Sequence, residues 1–88
     1  MLNIKYHRQF IKQFKKIPDE IQKKLIGLEN IFQINPLEPR LRCKKLAGKL
    51  KNKYSFRITG EYRLIFEFIS DKEALFLNIE HRKDIYKN

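Results

Sequence analysis

The sequence predicts an α+β fold in which a two-helix hairpin packs on one face of an antiparallel sheet of about four strands, in the order strand, helix, helix, strand, strand, strand. Three patterns carry that prediction. Apolar residues alternate at the start of the chain, recur at helical spacing between Phe10 and Phe32, and alternate again from Tyr54 to Glu80. A sheet with one hydrophobic face and two amphipathic helices bury most apolar surface when both helices cover the same side.

The first strand rests on Leu2, Ile4 and Tyr6, separated by Asn3 and Lys5. From His7 the period changes: Phe10, Ile11, Phe14 and Ile17 recur at helical spacing, with Lys and Gln around the rest of the circumference. Pro18 suits the first turn of a second helix, followed by Asp19 and Glu20 where the helix dipole favours negative charge. Its buried stripe is Ile21, Leu25, Leu28 and Phe32, and Asn35-Pro36 stops it. Residues 36–53 show no sustained period, contain Pro39 and Gly48, and read as an ordered loop. Tyr54, Phe56 and Ile58 then alternate with polar residues, Gly60-Glu61 turns the chain, and Leu64, Phe66 and Phe68 continue the alternation as a hairpin. Ser70 to Glu73 is a second turn, Ala74 to Glu80 a further strand, and residues 81–88 a tail.

A chain of 88 residues supports one core, so residues 1–88 are expected to form a single domain. Hydrophobic residues make up 42% of it, with seven Phe and four Tyr, enough for a packed interior. Cys43 stands alone, which excludes an intramolecular disulfide, and a zinc site would need Cys43 with two distant histidines, so no metal or other cofactor is expected. No apolar run approaches eighteen residues and the first eight hold no signal-like stretch; no membrane partner is expected, and a cytoplasmic location is.

Charge points to the partner. Lys and Arg number 20 against 10 Asp and Glu, a formal net charge of +10 that attracts polyanions. Between Arg40 and Arg57 eight of eighteen residues are basic and none is acidic, whereas an ordinary solvated face mixes signs. By pleat parity Arg57 and Arg63 share the face opposite Phe56, Leu64 and Phe66, so both guanidinium groups emerge on the uncovered side as an anion site. The candidate RNA-binding set is Lys45, Lys49, Lys51, Lys53, Arg82 and Lys83; the candidate catalytic set is Arg57, Arg63, His81 and Tyr86. RNA fits better than DNA because its 2′-hydroxyl is a built-in nucleophile, which a protein exploits by orienting the strand, neutralising the phosphate and moving a proton. Imidazole suits that proton transfer, though His81 equally ends a strand; Tyr86 suits stacking on a base, though it equally closes a core edge.

The ordered features Leu46-Ala47-Gly48, YSFRI (54–58), GEYRLIFEF (60–68) and IEHRKDIY (79–86) resemble the RelE/ParE superfamily of toxins from type II toxin–antitoxin systems, over nearly the whole chain. The resemblance implies a RelE-like fold and a cytoplasmic toxin that enters the ribosomal A site and cleaves mRNA without a metal. It also implies a cognate RelB-like antitoxin with an acidic contacting segment. It makes Arg63 the phosphate-stabilising arginine, Arg57 a basic strand position, Tyr86 the stacking tyrosine of the tail and His81 the group that moves a proton. This chain departs from RelE itself at Ser55 and Arg57, where RelE carries lysines, and near Glu80 and His81, where RelE carries an arginine; arginine hardly deprotonates, so Arg57 is a poor base. Two alternatives remain open: a ParE-like toxin that inhibits DNA gyrase, and an RNA-binding relative without turnover.

Overall fold

The computed structural model describes residues 1–48 and 52–85. Its elements are β1 (Asn3–Tyr6), α1 (Arg8–Lys16), α2 (Asp19–Ile34), a 3-10 turn (Pro39–Leu41), β2 (Lys44–Lys45), β3 (Tyr54–Arg57), β4 (Tyr62–Ser70), β5 (Glu73–His81) and the short helix α3 (Arg82–Ile85). The helix hairpin needs almost no connection. Ile17 and Pro18 are extended, Pro18 caps α2, and Gln22 Nε2 donates to Phe14 O at 2.7 Å, satisfying a carbonyl in the last turn of α1. At the other end of α1, His7 Nδ1 accepts from Gln9 N at 3.0 Å.

The expected α+β architecture is present, with two differences in the sheet. Five strands run in the order β1-β5-β4-β3-β2, and β1 pairs with β5 in parallel, so the sheet is mixed. An alternating pattern identifies a strand but not its partner. Here the two-helix crossover returns β1 beside the last strand, which the β3–β4–β5 meander delivers running in the same direction. The extra strand is β2, inside the segment expected to be loop: Lys44 and Lys45 pair with Ser55 and Tyr54. Two residues are too few to show a period.

Both helices cover one face. Phe32 of α2 is fully buried, with ring centroids 5.4, 4.9 and 5.4 Å from Phe56, Phe66 and Phe76, while Phe10 of α1 lies 5.6 Å from Phe76. Leu25, Leu41, Leu64 and Ala74 complete this interior.

A register shift in β5 decides which side chains reach the open face. Ile65 pairs with Asn78 but Phe66 pairs with Phe76, leaving Leu77 unpaired as a bulge. Phe76 and Ile79, three apart rather than two or four, therefore both face the helices. Beyond the bulge, Glu80 pairs with Arg63 on the open face and His81 pairs with Tyr62 on the other. Gln13 of α1 braces this segment, its Oε1 accepting from Ile79 N at 2.5 Å.

Candidate functional site

Arg57 and Arg63 are direct partners across β3 and β4, so their side chains leave the same face. Like charges facing one another destabilise a strand pair unless an anion lies near. Arg63 has that anion and, among the described residues, Arg57 does not. Glu80, the β5 partner of Arg63, accepts from Nε at 2.8 Å through Oε1, and the same oxygen forms an ion pair with Nη2 at 2.7 Å. Arg57 has no ion-pair partner among the described residues and faces an open hollow of about 540 Å³. Its charged lining is Arg42, Lys44, Arg57, Arg63 and Arg82 against one carboxylate, Glu61. Ser55, buried on the same face, forms part of the wall.

Local structure explains how each group arrives. Thr59 Oγ1 accepts from Glu61 N and Tyr62 N at 3.1 and 3.2 Å, closing the β3–β4 turn. Glu61 O in turn accepts from Arg82 N at 2.6 Å, which pins the start of α3 and the Arg82 side chain to the rim. Arg42 ends the 3-10 turn in the left-handed region at φ 50, a conformation costing a non-glycine residue about 1 kcal/mol or more. Lys44 lies on the face of its partner Ser55 and so enters the hollow, whereas Lys45 pairs with Tyr54 on the other face.

The other predicted residues are placed unevenly. Arg82 lines the hollow. Lys53 stands 3.9 Å from Glu67, and Lys83 is exposed on α3. Lys49, Lys51 and Tyr86 lie outside the described residues. His81, grouped with Arg57 and Arg63 in the candidate catalytic set, does not share their open face; the bulge at Leu77 changes its parity. It is not part of the hollow's lining; its ring is edge-on to Tyr62 at 4.7 Å, and its Nε2 stands 3.7 Å from Oε2 of Glu61, which does line the hollow. Its Nδ1 accepts from Lys83 N at 3.0 Å, which places the proton of a neutral ring on Nε2.

Four residues of the site were missed in the sequence. Arg42 and Lys44 belong to the basic run but carry no signal separating them from its other members, because a left-handed turn and a two-residue strand aim them. Glu61 reads only as half of a turn and Glu80 only as the end of a strand until the structure places them beside His81 and Arg63. Burial holds the Cys43 thiol above its ordinary range, so it is not an activated nucleophile. Among the described residues there is no group of three or more His, Cys, Asp and Glu able to hold a metal, and no helix is long and apolar enough to cross a membrane.

Comparison with known proteins places this arrangement. The family model described as a HigB-like toxin, the RelE-like toxin of the type II toxin–antitoxin system HigB, matches residues 3–81. No curated protein matches. Among solved structures, RelE in the RelB–RelE antitoxin–toxin complex of Methanococcus jannaschii is 29% identical, with 93% of this chain and 94% of that chain covered and a TM-score of 0.75. YoeB in the YoeB–YefM toxin–antitoxin complex of Staphylococcus aureus is 26% identical, with 92% and 97% covered and a TM-score of 0.76. YafQ of E. coli, 22% identical with 99% and 100% covered and a TM-score of 0.75, shares the fold. With the family model spanning most of its length, the chain belongs to the HigB-like family of RelE-like toxins of type II toxin–antitoxin systems.

Proposed function

We propose that this toxin is a metal-independent endoribonuclease that cleaves mRNA in the ribosomal A site and so inhibits translation. The observation that carries the reading is the open-face hollow, with five cations against one carboxylate around the Arg57–Arg63 pair. Such a hollow neutralises a phosphodiester as charge builds on it during attack by the adjacent 2′-hydroxyl. Arg63 holds the phosphate through guanidinium donors left beside Glu80, and Arg57 and Lys44 hold it from β3 and β2. His81, as the imidazolium, gives its Nε2 proton to the leaving 5′-oxygen, and solvent takes the 2′-hydroxyl proton. Tyr86 stacks on a base, and Lys45, Lys49, Lys51, Lys53, Arg82 and Lys83 hold flanking backbone. No metal enters this scheme because the 2′-hydroxyl is the nucleophile and cationic side chains supply the charge stabilisation. The YoeB and RelE relatives were solved with antitoxins, and a cognate antitoxin with an acidic contacting segment is the partner that offsets a charge of +10 in the cytoplasm.

The test is incubation with programmed ribosomes and, separately, with naked mRNA, each with and without EDTA, followed by mapping of cut sites. Cuts within A-site codons that persist in EDTA are expected. Arg63→Gln and His81→Gln should each lower the single-turnover rate by about 10²-fold or more. Absence of cleavage on ribosomes, or equal cleavage by His81→Gln, contradicts the respective assignment.

A further inference from the structure

A second hollow, of about 280 Å³, lies on the helix side of the β3–β4 turn, and Arg57, Thr59 and Gly60 line it as well as the first. Its other charged members are Lys24 of α2 and Arg40 of the 3-10 turn, and no carboxylate lines it. Lys24 has no ion-pair partner among the described residues. Arg40 uses Nε on Glu38 at 2.9 Å, and its side chain is 70% exposed, leaving the outer guanidinium donors to solvent. The two hollows meet where the Arg57 guanidinium crosses the turn: a Cβ built on Gly60 stands 3.7 Å from Arg57 Nη2.

We infer that Lys24, Arg40 and Arg57 form a second phosphate subsite, which takes a backbone phosphate of the same single-stranded RNA whose neighbouring phosphodiester occupies the open-face hollow. RNA is favoured over an acidic peptide because the cationic lining is continuous from one hollow to the other. The second hollow also has only Leu28 and the buried Ile58 as apolar wall, too little for the anchors of a docked helix. Arg57 is then a shared residue that bridges successive phosphates. This inference rests on the RNA-cleaving reading above and adds the direction in which the strand leaves the site, over the β3–β4 turn toward α2.

The experiment measures affinity for 2′-O-methyl oligoribonucleotides, which cannot attack their own backbone. A trinucleotide spans one hollow and a dodecanucleotide spans both. The variant is Lys24→Gln with Arg40→Gln; the charge-matched control is Lys15→Gln with Lys16→Gln, exposed residues of α1 that line neither hollow. Unfolding midpoints of both variants check the fold. Two lost contacts at about 0.7 each should flatten the log–log salt slope for the dodecanucleotide by about 1.4, equivalent to roughly 20-fold weaker binding at 0.1 M salt. Trinucleotide affinity should stay within about twofold, and the control should show a smaller slope change. An unchanged dodecanucleotide slope overturns the subsite, as does equal loss for both lengths. A loss confined to a polyglutamate probe overturns it too, in favour of an acidic protein partner. Ribosomal cleavage together with an unchanged slope sinks the subsite alone; absence of cleavage and of salt-dependent binding sinks both readings.

Discussion

Glu80 holds the edge of Arg63 that a phosphate would otherwise take, and its removal has a calculable effect. Oε1 accepts from Nε and pairs with Nη2, so an incoming phosphate oxygen must use the remaining donors, at a separation from the carboxylate on the order of 5 Å across the guanidinium. At that distance two unit charges repel by ~0.8 kcal/mol in water and ~3 kcal/mol at an effective dielectric constant of ~20. The side chains of Arg63 and Glu80 are 31% and 29% exposed, between those limits. A relief of roughly 1–2 kcal/mol follows, or about 5- to 30-fold tighter binding in Glu80→Gln. Glutamine is nearly isosteric and still accepts from the guanidinium, so Arg63 keeps its orientation. The assay is fluorescence anisotropy of a labelled 2′-O-methyl dodecanucleotide at 0.1 M salt. Glu67→Gln is the control, because it changes net charge equally from the Lys53 end of the same face. In an Arg63→Gln background the gain should disappear. Equal gains from Glu80→Gln and Glu67→Gln, or a gain that survives without Arg63, would refute the reasoning.

Two further outcomes follow from the core and the helix face. Phe32→Ala empties the meeting point of three buried phenylalanines and should cost about 3–5 kcal/mol in urea unfolding, against less than about 0.5 for the 76% exposed Ile34→Ala; similar values for both contradict the packing described. Burial first, and then a hydrogen bond from its hydroxyl to Glu29, holds the Tyr6 phenol protonated far above its ordinary 10.0. A raised folded pKa stabilises fully below pH 10 and is lost as pH rises through the folded value, so wild-type stability should fall relative to Tyr6→Phe in strong alkali, and ultraviolet titration should show one late phenolate that the variant lacks. Parallel pH profiles count against it.

Much of the site's chemistry was visible in residue types, and much of its geometry was not. Arg57 and Arg63 fall on one face because both lie in short, unbulged stretches on either side of the four-residue connection 58–61, where parity from Phe56 and Leu64 is reliable. Parity does not reach His81, since the strand from Ala74 to Glu80 contains a bulge at Leu77, at the end of the apolar run Ala74-Leu75-Phe76-Leu77 where alternation cannot display it. Lys44 and Lys45 are adjacent identical residues, and only pairing with Ser55 and Tyr54 sends one into the hollow and the other away.

By itself the sequence determined the two helices, the β3–β4–β5 meander, the covered face and the sign of the open one, because periodicity and charge are local properties that survive in the unfolded string. The tertiary structure alone decided that β1 lies parallel beside β5, that Glu80 grips Arg63 while His81 turns against Tyr62 on the other face, and that Arg57 stands between two hollows. Each of these depends on which backbone groups pair across long stretches of chain. A one-residue shift in that pairing reverses every side chain beyond it.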